Sequence, residues 1–380
     1  MPDRMRCRSC RGEQGGIVLD LGEQPPWDSM PPAATPLPDP VSPLRMWLCR
    51  SCGLAQLEAG ADVGEEILGV EPRAVAEQSD RAVERLVREG LVRPGDRVVE
   101  YGSPHGESWL PRLTGRGMTD AGHAAPPGTA DLVVDFYGLL HEPDQDAALR
   151  RRAGVLAPGG TLALQLLSLG TVLRDGQWYD LRHGHYAYWS LPALDTALRR
   201  YGLAVHRAWR YPLSGGTLLV TARAGATPDT GTRRLLREED EQGVTTPGGL
   251  AGLQRSADRA HDLWGWLDAE RRAGRTVAAY GAASRAVPVM CHAGLDAGLL
   301  AAVGDASPTK QGRRMPGTDI PIVSPAELAA LRPDRVVLFL AELADEVRAA
   351  LPEIEAAGGR WVVLDPVPRL VKPVPGVFAG

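Results

Sequence analysis

A chain of 380 residues, 44% of them hydrophobic, is long enough to bury two or three cores. A net charge of -5 gives no electrostatic case for nucleic acid, no apolar run approaches a bilayer span, and the N-terminus lacks a signal-peptide h-region. A soluble, cytoplasmic protein acting on a small molecule is expected, with neither nucleic acid nor membrane as partner.

Four of the five cysteines form two Cys-x-x-Cys pairs, Cys7-Arg-Ser-Cys10 and Cys49-Arg-Ser-Cys52. Each pair can aim two thiolates at one tetrahedral ion, so Cys7, Cys10, Cys49 and Cys52 predict a closed, structural zinc site. A redox dithiol or a disulfide pair is the alternative, which a reducing compartment disfavours. The long insert between the pairs predicts a small lobe over 1–73, with a strand at Val18-Leu-Asp-Leu-Gly22. Proline density excludes helix or central strand from 31–43, leaving an ordered loop or a lid. Cys291 reads as a small buried hydrophobe.

A helix over 74–89 leads into Asp96-Arg-Val-Val-Glu-Tyr-Gly102-Ser-Pro-His-Gly106. A strand closed by Glu-x-Gly-x-x-x-Gly resembles the opening of class I methyltransferases, where glycine lets the backbone approach the cofactor. Glu100, Gly102, Ser103 and Gly106 are therefore the candidate cofactor contacts. A buried strand over 130–136, a helix over 144–155, the Ala157-Pro-Gly-Gly160 turn and a strand over 161–166 follow. That alternation predicts an α/β domain over 74–223 with a parallel, doubly wound sheet. The interval 107–130 carries Gly115, Gly117, Gly122, Pro126 and Pro127, shows no hydrophobic strand, and is too short for a full crossover. Asp120 is its one acidic candidate for a ribose, with no strand end around it, so the adenosyl pocket is expected to be truncated.

The stretch Asp180-Leu-Arg-His-Gly-His-Tyr-Ala-Tyr-Trp-Ser-Leu191 places His183 and His185 one residue apart. Histidine lends or takes a proton near neutrality, and alternation can turn one ring to a pocket and the other away. Hydrogen-bonded filler beside packed aromatics is the competing reading. His105 and His141 lie where the pocket would open, each an acid or a filler.

A charged helical connection over 224–272, broken at Gly248-Gly249, precedes a strand and turn at Arg275-Thr-Val-Ala-Ala-Tyr-Gly281-Ala-Ala-Ser-Arg285. Further strands at 301–305, 335–340 and 361–365 predict a small parallel, Rossmann-like sheet over 273–380. Tyr280, Arg285, Ser307, Thr309 and Lys310 offer hydroxyls and cations to a diphosphate near a helix start. Solvated surface charge is the other reading of Arg285 and Lys310.

Several motifs recur together: the paired Cys-x-x-Cys, Leu19-Asp-Leu-Gly-Glu-Gln-Pro25, Glu100-x-Gly-Ser and Leu156-Ala-Pro-Gly-Gly160. To these are added His183-x-His-x-x-Tyr-x-Ser190, Gly215-Gly216, Tyr280-Gly-Ala, Ser307-Pro-Thr-Lys-Gln-Gly312, Pro316-Gly-Thr-Asp-Ile-Pro321 and Ala344-Asp-Glu346. In this order they resemble the deoxysugar C-methyltransferases of antibiotic biosynthesis, which methylate C3 of a nucleotide-linked 4-keto sugar. The resemblance implies a zinc lobe, a methyltransferase domain using S-adenosylmethionine, and a C-terminal domain that helps hold the nucleotide. It implies a base that removes the proton beside the ketone, after which the enolate takes the methyl group. The family's Tyr-His-Glu-His becomes Arg182-His183-Gly184-His185, so His185 matches the base and Arg182 stands where the family has tyrosine. The family's Gly-Ser-Asn-Asp-Gly becomes Gly102-Ser-Pro-His-Gly106. Methyl transfer is thus the first reading. Isomerisation, epimerisation or elimination by the same base without the methyl donor is the second, with Arg182 steadying an enolate oxygen or a carboxylate. A non-catalytic binding partner is the third.

Overall fold

The computed structural model describes residues 5–27, 30–59, 73–103, 108–212, 216–339, 344–365 and 367–371. The N-terminal lobe pairs β1 (Gly15–Gln24) with β2 (Ser42–Cys49) antiparallel, and β3 (Ala55–Leu57) lies along β2. Alternation along β2 serves two cores: Leu44, Met46 and Leu48 face one, Trp47 and Cys49 the other.

The middle region runs α1 (Arg73–Arg88), β4 (Arg97–Gly102), α2 (Leu110–Thr114), β5 (Thr119–Asp120), β6 (Ala130–Phe136), α3 (Gln145–Val155), β7 (Leu156–Leu167) and α4 (Leu169–Arg174). It continues through β8 (Ala187–Tyr188), α5 (Leu191–Arg199), β9 (Leu203–Tyr211) and β10 (Thr217–Ala224). The sheet order is β5-β4-β6-β7-β10-β9, parallel through β7, with β10 antiparallel to both neighbours. β6 is buried on both faces, Ala130 and Val133 in one core and Leu132, Val134 and Phe136 in another. This is the signature of a sheet covered on both sides. β8 leaves that sheet and pairs with β3, so the lobe's fourth strand comes from the segment that follows His185.

The interval 107–130 corrects one expectation. It holds a crossover: Trp109 and Leu113 bury fully, and the chain returns as β5, parallel to β4, ending at Asp120. A five-residue helix suffices because β5 has only two residues, both exposed, which leave no apolar alternation to read. The truncation is confined to the far side of β5, where no further strand pairs among the described residues.

A helical connection of α6 (Thr230–Glu241), α7 (Pro247–Asp258) and α8 (Ala260–Arg272) leads to the third sheet. Its strands are β11 (Val277–Tyr280), β12 (Val303–Gly304), β13 (Ile322–Val323), β14 (Arg335–Leu338), β15 (Arg360–Asp365) and β16 (Val367–Leu370). They are ordered β13-β12-β11-β14-β15-β16, parallel except for β16. Over 31–41 the proline-dense segment is an ordered loop docked on this region, whereas Ser42 and Pro43 open β2, a central strand of the lobe sheet. This corrects the expectation that proline bars them from one: Pro43 sits at the strand's start, beside an irregularity in the β1 register. Ala33 N–H donates to the Gly312 carbonyl at 3.1 Å, and buried Arg314 grips Asp39 with both Nη atoms at 2.7 and 2.6 Å. That guanidinium, with the Gly317 N–H, holds the Asp39 carboxyl below its ordinary value despite burial. No helix of the described residues is long and apolar enough to cross a membrane.

Glu239 ties α6 to the segment after His185. Its carboxylate accepts the Leu191 N–H that opens α5 at 2.7 Å, and Arg210 Nη2 lies 4.0 Å away. Burial pushes this carboxyl from 4.5 up to about 7. The folded chain therefore binds the proton more tightly than the unfolded chain, and stability falls as pH rises from 4.5 through about 7. Glu239→Gln is expected to remove that slope, gaining up to about 3 kcal/mol at pH 8 and nothing below about pH 4. Thermal melts of both proteins across that range check it, and parallel curves would contradict it.

Candidate active site

The four N-terminal cysteines form one cluster. Cys7 and Cys52 Sγ are 3.6 Å apart, Cys10 and Cys49 Sγ 3.5 Å, and all four lie within 4.8 Å of one another. Tetrahedral zinc–thiolate bonds of about 2.3 Å require sulfur–sulfur edges of about 3.8 Å, so the donor set fits zinc. Each knuckle closes alike: Arg11 N–H donates to the Cys7 carbonyl and Gly53 N–H to the Cys49 carbonyl, both residues with positive φ. Hydrogen bonding with Cys49, then burial, drives Cys7 up to about 12, and a cation would reverse this by favouring thiolates. With four protein ligands the centre is closed and structural.

This knuckle reaches the histidine segment. Arg8 N–H donates to Gln56 Oε1 at 2.9 Å, its Nε and Nη2 both reach the Leu57 carbonyl at 3.3 Å, and its guanidinium lies 4.8 Å from the centre of the Tyr186 ring. β3, between Arg8 and β8, is thus a strut from the cysteines to the residues just after His185.

In the middle sheet the chain leaves β4 for β5 on one side and has β6 on the other. A crevice opens at such a reversal, outside the carboxyl ends of the strands. Glu100, Gly102 and Ser103 stand at that end of β4, and Asp120 at that end of β5. Glu100 accepts from the Trp109 N–H at 2.6 Å and from the Ser108 hydroxyl, so it closes the turn after the strand. Ser103 is buried, and Gly106, His105 and Gly215 lie outside the described residues. Gly216 is left-handed, and a Cβ there would meet Thr171 Cγ2 at 2.1 Å. Near the carboxyl end of β6, Asp135 forms a buried ion pair with Arg152 at 2.6 Å, with the guanidinium 4.5 Å from the Tyr101 ring centre.

After β6 comes a 3-10 turn, Leu139–His141, and the Tyr186 N–H bonds to the Leu140 carbonyl at 2.7 Å. That bond brings buried His185 edge-on to His141, with ring centres 4.8 Å apart. Arg182 Nε donates to His185 Nδ1 at 3.3 Å. Guanidinium has no lone pair to accept with, so Nδ1 is unprotonated and the neutral ring carries its proton on Nε2. The same guanidinium lies 5.4 Å from the Trp27 ring centre and donates to the Ser284 hydroxyl. His183 turns the other way. Its Nε2 lies 3.3 Å from the Pro43 carbonyl, its own carbonyl accepts the Trp27 indole N–H, and burial lowers its proton affinity.

The third sheet repeats the reversal at β11, flanked by β12 and β14. Tyr280 ends β11, Ser284 and Arg285 follow in its turn, and Arg285 Nη2 approaches Asp180 Oδ1 at 3.7 Å with both side chains buried. Burial, then the Asp305 and Glu346 charges, raises the Tyr280 phenol. Lys310 Nζ donates to the Ala282 carbonyl at 2.9 Å and lies 3.8 Å from Asp305, which also accepts the Ala282 and Ser307 N–H groups at 2.8 Å. The structure therefore gathers Tyr280, Arg285, Ser307 and Lys310 around one turn, while Thr309 is exposed at its rim. The following helix, α9 (Ala286–His292), has only seven residues, so side chains rather than a helix end give this turn its polarity. Sequence reasoning passed over Trp27, Asp180 and Ser284. Asp180 and Ser284 each stand within two residues of a residue it chose, whereas Trp27 carried no signal.

Comparison with known proteins accounts for nearly the whole chain. Residues 7–65 match a zinc-binding domain model, 57–208 a methyltransferase domain model, and 212–368 a C-methyltransferase C-terminal domain model. The C-methyltransferase NovU of Streptomyces niveus is 29% identical over 377 residues, an alignment covering 87% of each chain. Among solved structures, Burkholderia thailandensis 1,6-didemethyltoxoflavin-N1-methyltransferase, bound to its substrate and S-adenosylhomocysteine, is 17% identical. It covers 46% of this chain and 96% of that one at a TM-score of 0.28. Synechocystis magnesium protoporphyrin IX methyltransferase is 12% identical, covers 39% and 83%, and has a TM-score of 0.29.

Proposed function

We propose that this chain, similar over nearly its whole length to C-methyltransferases, transfers a methyl group from S-adenosylmethionine to the carbon beside a ketone in a nucleotide-linked deoxysugar. One observation carries the reading. Buried His185 packs against His141, in the turn that follows the carboxyl end of β6, and Arg182 links it to Ser284 in the turn that follows β11. Such a place suits a base acting on a molecule held at both ends.

The Gly102-Ser103 turn would hold the amino-acid end of the cofactor, and Asp120, at the end of β5, its ribose. Bound there, S-adenosylmethionine supplies an electrophilic methyl group. The chain's own residues do the rest. His185 takes the proton from the carbon beside the ketone, and the C–H electron pair passes into the enolate. Arg182, which donates to His185 Nδ1 and to the Ser284 hydroxyl, sets the position of that base. Tyr280, Arg285, Ser307, Thr309 and Lys310 would meet the nucleotide diphosphate at the second crevice, and His183 anchors the loop to the lobe. The isomerase reading drew on the shortened interval and on the altered Gly102-Ser-Pro-His-Gly106 turn; a strand at β5 that ends on Asp120 favours the methyl-transfer reading.

The test is mass analysis of a reaction with S-adenosylmethionine and a nucleotide-linked 4-keto-6-deoxysugar. A product heavier by one methyl group supports the proposal. Solvent-proton exchange or isomerisation with no methyl gained overturns it.

A further inference from the structure

We infer that Arg182 is a positioning residue that covers the proton-accepting nitrogen of His185 until a phosphate-bearing substrate draws it toward the C-terminal turn. This rests on the substrate class proposed above. The guanidinium gives Nε–H to His185 Nδ1 at 3.3 Å and an Nη–H to the Ser284 hydroxyl, so it stands between the two crevices. Among the described residues, the charged or titratable groups seen to face the imidazole include Arg182, His141 at 4.8 Å and Tyr188 at 6.4 Å between ring centres.

In this arrangement His185 cannot take a proton at Nδ1. An N–H would be driven against an N–H, and an imidazolium would sit against a guanidinium. An anion at the turn changes both facts. Ser284 already touches Arg182, and Arg285 and Lys310 border the same turn, so a phosphate there can recruit Arg182 by charge-assisted bonds. Nδ1 is then uncovered and the guanidinium charge is neutralised. An N–H bond can form at Nδ1 as the C–H electron pair enters the enolate. Proton removal is thereby coupled to occupancy of the nucleotide end.

The experiment uses the full zinc-loaded chain labelled with 15N-histidine, the His185 signal being identified by its loss in His185→Asn. Without ligand, His185 should show the Nε2–H tautomer and a proton affinity at least about tenfold below an ordinary histidine. Saturating inorganic pyrophosphate should raise that affinity about tenfold or more. Arg182→Gln should show the raised affinity without pyrophosphate and no response to it, whereas Arg182→Lys should restore part of the response. If neither Arg182 variant folds, Ser284→Ala serves instead, with the resting tautomer kept and the response weakened. An Nδ1–H tautomer at rest, no change on binding pyrophosphate, or no pyrophosphate binding would overturn the inference. None of these readouts uses S-adenosylmethionine. A responsive tautomer without methyl transfer would therefore sink the proposed reaction and leave the positioning role standing.

Discussion

His185→Ala is expected to lower methyl transfer by a factor on the order of 10³ while the protein still folds and binds its zinc. A positioned general base contributes about 10² to 10⁴ in rate, and the stretch offers no substitute in reach, since His183 is turned toward Pro43. The imidazole is buried against His141, Trp27 and Tyr188, so its loss leaves a small cavity costing about 1–2 kcal/mol. That is too little to unfold a chain with four hydrophobic clusters. Exchange of the substrate proton with solvent should fall with turnover, because the base acts before the methyl group moves. Cofactor affinity should hold, because Gly102, Ser103 and Asp120 lie on other strands. Turnover near the parent level would remove His185 from the mechanism.

Zinc removal is expected to abolish turnover, although the metal does no chemistry. Apparent zinc affinities of small Cys-ligated domains are about 10–16 kcal/mol, enough to decide whether such a lobe is folded. Here the lobe supplies Arg8 and Gln56 to β3, and β3 pairs with Ala187–Tyr188, immediately after His185. Trp27, which faces Arg182 and bonds to the His183 carbonyl, belongs to the same lobe. Losing the four-thiolate centre should therefore release both walls of the histidine segment. A chelator, or Cys52→Ser, should bring activity to background, change the fluorescence of Trp27 and Trp47, and leave the C-terminal sheet folded. Readded zinc should rescue the chelated protein and fail to rescue the variant. An active, metal-free protein would show that β8 holds its place unaided.

The parts readable in the sequence are those whose physics is local. Cys-x-x-Cys spacing announces a knuckle because two thiolates three residues apart can reach one ion. The runs that became β6, β14 and β15 are apolar on both faces, which a covered parallel strand requires. β5 and β8 were invisible because each has two residues and is defined by its partner, β4 or β3, rather than by its own pattern. Alternation lets the two histidines face different ways, but their direction is set by Leu140 and Pro43, distant in the chain. Arg285 and Lys310 looked like free cations, yet each approaches an aspartate, Asp180 or Asp305, that no spacing rule links to it. Asp120 was undervalued for the same reason: a strand end exists only once the strand does.

Calorimetric titration of the zinc-loaded protein with S-adenosylhomocysteine tests the central claim most directly. The product form binds the crevice without needing the sugar substrate or the base. Binding on the order of micromolar is predicted, from a pocket built by Gly102, Ser103 and the end of β5, and Asp120→Asn should weaken it by about 1–2 kcal/mol. Absence of binding at millimolar ligand would contradict the assignment of methyl transfer to this chain.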